Sequence, residues 1–437
     1  MIACFPLLAL LAAGQTLPAV TAPDGPALAE ALAARPAVDF AARLAAAADA
    51  LPAIAERRES LNIATAQTAQ TRSRLFPTLG LDVNSADTVA RDFQRQSTQF
   101  ESLVPRRRTD AIGSINQLLI DWGATSARIR AGRLAEQAAA ADLQATRTDQ
   151  LVALIAAWHE AIAARHTLAL GTAHSARLAD LAADVTARAA AGADSDAERA
   201  RATSALAQAN AQLTDLARRD AAARARLLEL FGPDVPQPAR APAPPDAGAA
   251  IDTPELRAAR ADAAARRSAT SAASADRLPR VDARLGASAF DLTGAGRPDY
   301  DVRATVTMTT RFGIGGAEAA RVRELAATAR RADFAAVRIA TENTRELAEA
   351  EAQLAALVAA LPARRTAQAD AARARDLIAL RFGAARGTLF DLLVAEREAQ
   401  DAALALVEAE LQLDVARWVL LARRGTLLNV IDGSATP

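Results

Sequence analysis

Residues Tyr300 to Gly313 read YDVRATVTMTTRFG, in which apolar and polar side chains alternate from Tyr300 to Thr309. On a strand, Tyr300, Val302, Ala304, Val306 and Met308 share one face, while Arg303, Thr305, Thr307 and Thr309 share the other. Such a two-faced strand is out of place in a chain otherwise written in Ala, Arg, Leu and Glu at helical spacing. Its surroundings therefore decide the fold.

Working outward, the same plan occurs twice. Pro52 and Pro77 bracket AIAERRESLNIATAQTAQTRSRLF, and Pro254 and Pro279 bracket ELRAARADAAARRSATSAASADRL, both helical in composition. A strand candidate follows each second proline: TLGLDVNSADTVARDF from Thr78 and RVDARLGASAFDL from Arg280. A turn-rich interval and a returning strand complete each hairpin, at about residues 78–122 and 280–313. Each returning strand then enters a long helix, expected from Ala124 to about Ala190 and from about Ala317 to Phe382, the second kinked at Pro362. At about 1.5 Å per residue these helices reach on the order of 100 Å. They fold back through short turns near Gly192 and Gly387 into helices whose apolar seams recur three or four apart, as Leu404, Val407, Leu411, Val415 and Trp418 do. The glycines Gly313, Gly315 and Gly316 mark a strand-to-helix turn rather than a phosphate loop, since the first copy keeps only Gly123 there.

The expected organisation is an apolar secretory signal over 1–14, a first repeat over 15–232, a proline-rich linker over 233–250, a second repeat over 251–425 and a tail over 426–437. Ala12, Ala13 and Gly14 supply the small residues of a cleavage site before Gln15, although a basic start is missing. Cys4, the single cysteine, falls in the signal, which leaves the mature chain no thiol chemistry.

Composition narrows the function. The 437 residues carry a formal net charge of +0, which gives no nucleic-acid footprint. All the basic residues are Arg, so a phosphate-binding or Schiff-base lysine is impossible. His159, His166 and His174 lie on one expected helix, but His159 and His166 stand about 10 Å apart along the axis and His174 is rotated away. No metal, cofactor or catalytic constellation stands out, and no enzyme is expected.

No run approaches the roughly 18 to 20 apolar residues of a membrane-spanning helix, so membrane entry would require a barrel. Four strands of about 10 to 14 residues are long enough to cross a bilayer at a tilt, but too few to close a barrel in one chain. A dimer or a trimer would satisfy closure. Phe76, Phe93, Trp122, Phe290, Tyr300 and Phe312 fall at strand ends, where an interfacial girdle belongs. The competing reading is a periplasmic or surface coiled-coil scaffold whose strands make a small soluble sheet.

The order helix, hairpin, long helical hairpin, written twice, resembles the TolC-like outer-membrane efflux protein family over nearly the whole mature chain. The matching stretches are SRLFPTLGL, DRLPRVDARLG, LLIDWGATSARIRAG, AGADSDAERARA and ARGTLFDLLVAERE. The resemblance implies a mainly α chain with long antiparallel coiled-coil hairpins forming an α-barrel. Its four strands would contribute to a trimeric 12-stranded β-barrel in the outer membrane. It implies a passive conduit from an inner-membrane pump, proton-driven or ATP-driven, joined through a periplasmic adaptor. Tyr300, Val302, Ala304, Val306 and Met308 would meet lipid, and Arg303, Thr305, Thr307 and Thr309 a wet lumen. Gly192, Ser195, Arg386, Gly387 and Thr388 would form the adaptor-docking tips, and Asp391, Glu198 and Phe382 the pore gate. Ser195 with Glu198 and Thr388 with Asp391 also read as helix-capping pairs. The chain departs from the family at Ala385, where glycine is usual, at Phe382, where a tyrosine can stand, and at Val394, where a second acid can stand.

Overall fold

A computed structural model describes residues 26–35, 39–90, 107–233, 235, 238–245, 252–293, 298–310 and 314–433. The signal segment, Phe93, Phe312, Gly313 and parts of the linker lie outside the described residues.

The elements run α1 (Pro26–Ala33), α2 (Phe40–Ala50), α3 (Pro52–Ser73), β1 (Thr78–Asp87), β2 (Arg107–Ile120), α4 (Ala124–Ala190), α5 (Asp196–Phe231), α6 (Pro254–Ala275), β3 (Arg280–Phe290), β4 (Asp299–Thr309), α7 (Ala317–Gly383), α8 (Leu389–Arg424) and α9 (Leu427–Ile431). The helices come in matched lengths: α3 and α6 have 22 residues, α4 and α7 have 67, and α5 and α8 have 36. Pro52 and Pro254 begin α3 and α6, where the missing N–H costs nothing. The α7 helix runs through Pro362 without interruption. Proline removes the donor that the carbonyl of Val358 would otherwise receive, yet the flanking turns carry the helix across.

Two compact units are built, each from both halves of the chain. One comprises 1–47, 152–245 and 350–420; the other comprises 48–151, 246–349 and 421–437. In the first, Trp158 is fully buried, with Phe40 at 5.4 Å and Phe231 at 5.4 Å between ring centroids, and Trp418 is 5.5 Å from Phe40. The Trp158 indole N–H donates to the carbonyl of Ala239 at 3.0 Å, which pins the linker to this core.

The next linker residue, Arg240, is buried. It donates to Asp414 at 2.6 Å and Glu410 at 2.8 Å, and also to the carbonyl of Leu32. Arg35 adds a 2.7 Å bond to Asp414, and Arg365 a 2.8 Å bond to Glu410. Burial alone would raise the Asp414 carboxyl, but the Arg240 and Arg35 guanidiniums hold it below the usual carboxylate range.

In the second unit the strands form one antiparallel sheet in the order β1-β2-β3-β4, with β1 and β4 at its edges. Four neighbouring strands from two separate hairpins bring positions far apart in sequence into one register.

Candidate functional site

Register fixes the faces of the sheet. Leu79, Leu81 and Val83 of β1 pair with Ile115, Gly113 and Ala111 of β2, and these last two pair onward with Ala287 and Ala289 of β3. Across β3 and β4, Ala289 meets Tyr300, Ala287 meets Val302, Leu285 meets Ala304, Ala283 meets Val306 and Val281 meets Met308. Large residues stand mostly opposite small ones on this face. A bulge between Leu118 and Ile120 steps over Leu119 and sets Ile120 beside Val281, restoring the apolar side. The result is a largely apolar face left in the open, interrupted at Gln117 beside Ala283: Leu79 is 82% exposed, Tyr300 76% and Val306 69%.

The opposite face is mainly polar, with Ile112 and Leu118 of β2 among its residues. Arg303 pairs with Asp301 at 2.6 Å, Arg280 with Asp282 at 2.7 Å and Arg108 with Asp110 at 2.7 Å. Each pair joins residues two apart, which the pleat places on the same side. Thr305, Thr307 and Thr309 continue this face. Phe290, expected in an aromatic girdle with Tyr300, lies on the polar side instead: it pairs with Asp299, one step out of phase with Tyr300, and Arg108 stacks 4.9 Å above its ring. Trp122 and Phe76 remain exposed at the other end of the sheet, with the Trp122 indole N–H donating to Pro279 at 2.6 Å.

The two helical turns are built alike. At the end of α4, the N–H of Ala193 reaches the carbonyl of Arg188 at 2.9 Å and that of Gly192 reaches Ala189 at 3.0 Å. At the end of α7, Arg386 reaches Arg381 at 2.9 Å and Ala385 reaches Phe382 at 3.0 Å. Both are Schellman motifs, which require a left-handed residue after the helix. Gly192 takes φ +76 without strain; Ala385 takes φ 56 with a Cβ present. Gly387 has a different reason to be glycine, because a Cβ there would meet the backbone nitrogen of Phe382 at 3.3 Å.

Capping follows each turn. Ser195 and Glu198 form a reciprocal box: Ser195 N donates to the carboxylate at 3.0 Å and Glu198 N donates to the hydroxyl at 3.2 Å. Those bonds from Ser195 hold the Glu198 carboxyl below its ordinary range. In the second turn Asp391 N donates to Thr388 Oγ1 at 3.1 Å, and that hydroxyl donates to the Asp391 carboxylate at 2.7 Å. Gly192, Ser195, Arg386 and Thr388 are exposed and Gly387 half-buried.

The three gate candidates separate. Asp391 is exposed and Glu198 half-buried, but Phe382 is 9% exposed, packed with Val185, Leu389 and Leu392 beneath the Arg188 guanidinium at 4.4 Å. Its ring joins the two turns into one apolar cluster; with its neighbours all within the chain, it serves the tip as core.

The histidines have three different surroundings. His159 is buried edge-on to Phe40, its Nδ1 2.8 Å from the carbonyl of Ile155, and burial pushes its pKa down. Burial also lowers His166. His174 sits 3.5 Å from Glu396, which Arg177 also contacts at 3.1 Å. Burial pushes the Glu396 carboxyl up, but His174 and Arg177 together hold it below its ordinary value. Among the described residues no three potential ligands converge on a metal position.

A cavity of about 840 Å³ opens where the sheet meets the helices, lined by Thr78, Asn116 and Asp282 of the polar face and by arginines Arg74, Arg128, Arg277 and Arg321. The signal was present in the repeated Arg-Leu before each strand-entry proline, Arg74-Leu75 and Arg277-Leu278. Nothing in one dimension placed them beside Arg128 and Arg321.

No protein-family model matches the chain, and no curated protein does. Solved structures match its fold. The outer-membrane protein VceC of Vibrio cholerae superposes with a TM-score of 0.76 at 18% identity, covering 88% of this chain and 95% of its own. The outer-membrane channel CmeC of Campylobacter jejuni gives 0.79 at 12% identity, covering 89% and 85%. A membrane protein of Pseudomonas aeruginosa gives 0.75 at 20% identity, covering 89% and 94%. The helical hairpins and four-stranded sheet are thus the fold of these membrane proteins.

Proposed function

We propose that this protein is the outer-membrane channel of a tripartite efflux or secretion system, a passive conduit from the periplasm to the exterior. The observation that carries this reading is the sheet: an uncovered apolar face, a polar face behind it, and two edge strands without partners among the described residues. Water would not leave such a face bare, and hydrocarbon would not tolerate the open edges. Three copies joining β1 of one chain to β4 of the next make twelve strands and remove both edges. Strand β4, of 11 residues, would rise about 28 Å at a tilt near 40°, close to the roughly 25 Å apolar band of such barrels.

Tyr300, Val302, Ala304, Val306 and Met308 then face lipid, and Arg303, Thr305, Thr307 and Thr309 face the lumen. The paired turns at Gly192 and Ser195 and at Arg386, Gly387 and Thr388 are the docking end for a periplasmic adaptor, itself bound to an inner-membrane pump. Asp391 supplies a carboxylate ring that favours cations at this end, with Glu198 in the neighbouring turn as a second candidate. Phe382 acts on the gate only by holding the two turns together.

The direct test is recovery of a heat-modifiable trimer from outer-membrane fractions that conducts in planar bilayers. Release as a soluble coiled-coil protein would instead select the scaffold reading.

A further inference from the structure

The cavity at the base of the sheet combines elements from both halves of the chain. Arg74 and Arg277 lie just past the C-termini of the paired helices α3 and α6, while Arg128 and Arg321 stand at the same position, the fifth residue, of the paired helices α4 and α7. The first two sites suit a cation locally, because a helix C-terminus is negative. Arg321 has no such local reason: it lies near a helix N-terminus, where the dipole disfavours positive charge.

The acids of the cavity are largely committed. Asp121 accepts from the N–H groups of Gly123 at 3.1 Å and Thr125 at 2.6 Å. Asp276 is bound by Arg128, and Asp282 by Arg280 at 2.7 Å. Glu318 is the acid left without such a bond among the described residues. Arg74, Arg277 and Arg321 are exposed and make no ion pair among the described residues. Free guanidiniums therefore outnumber free carboxylates in a space open to solutes, and the planar guanidinium fork matches the oxygens of phosphate-like groups.

We infer that Arg74, Arg277 and Arg321, beside Arg128, form a cationic belt at the junction of sheet and helices that binds multivalent anions, polyphosphates among them, as they pass. The inference rests on the channel reading, in which the polar face lines the lumen and three chains repeat the belt around one axis. Its sign is opposite to that of the proposed Asp391 ring. Its range is short, since at 0.1 M salt the Debye length is about 10 Å.

The experiment is block of conductance by tripolyphosphate across planar bilayers containing the full-length oligomer. Wild type should be blocked in a concentration-dependent way that weakens with added salt. R277Q/R321Q should need at least tenfold more tripolyphosphate for half-block, and R321Q alone, which removes no ion pair, should show a smaller shift in the same direction. Equal block of wild type and R277Q/R321Q, or no block of a conducting wild type, would overturn the belt while leaving the channel standing. Absence of any conductance would overturn the channel reading and the belt with it.

Discussion

Placing a charge on either side of β4 separates a bilayer-spanning sheet from a soluble one. Val306 lies two residues from Ala304, the centre of the strand, so at a tilt near 40° it sits about 5 Å from the midplane. Arginine costs about 2 to 4 kcal/mol at the midplane and about 0 to 1 near the interface, which interpolates to about 2 kcal/mol for Val306→Arg. Its neighbours give no relief: Ala283 stands opposite, and Ala304 and Met308 flank it on the same face. Thr307 points the other way and stands opposite Asp282, so an arginine there gains an acidic neighbour and should stay within about 0.5 kcal/mol of wild type. The difference is about thirtyfold in the folding equilibrium of each chain, since every 1.4 kcal/mol is tenfold. Urea midpoints of the heat-modifiable oligomer in lipid vesicles would measure it. Equal loss from both substitutions, or a harmless V306R, would refute the assignment of faces.

Four other outcomes follow from the geometry. Ala385→Gly should stabilise the protein by about 0.5 to 1 kcal/mol in thermal unfolding, because relief of a left-handed alanine worth about 1 to 2 kcal/mol exceeds the backbone entropy that glycine adds. Arg240→Met should destabilise by about 3 to 5 kcal/mol in denaturant titration, since it leaves buried Asp414 and Glu410 short of a partner. Asp414 has a depressed folded pKa, so its contribution is present above the unfolded value of about 4 and lost as pH falls through the folded one. The destabilisation caused by D414N should thus be full at pH 7 and shrink below about pH 4 in a pH series of melting curves. Asp391→Ala should lower the cation preference read from reversal potentials while the oligomer survives; unchanged selectivity would confine Asp391 to its hydroxyl bond with Thr388.

Much of this protein is fixed locally, and that part was legible in the chain. Long helices follow from a stretch rich in Ala, Leu and Arg between Gly123 and Gly192, with only the single glycines Gly132 and Gly171 within it, and α4 begins and ends where the flanking signals stand. The two faces of β4 follow from period-two alternation, and register carries them across all four strands. The caps at Ser195 and Thr388 follow from contacts three residues apart.

Other features needed the third dimension because their partners lie on other elements of the chain. Phe382 reads as a gate in a turn motif but becomes core once Val185 and Arg188 arrive from the other hairpin. Phe290 reads as a girdle aromatic until the hairpin register sets it out of phase with Tyr300. Arg240 sits in a stretch whose proline content marks it as a linker; only packing gives it Asp414, Glu410 and Leu32 as partners. The belt of Arg74, Arg128, Arg277 and Arg321 has the same origin. Periodicity records which side of an element a residue occupies, whereas a charge network or an aromatic cluster depends on which elements meet, and that is decided by burial summed over the whole chain.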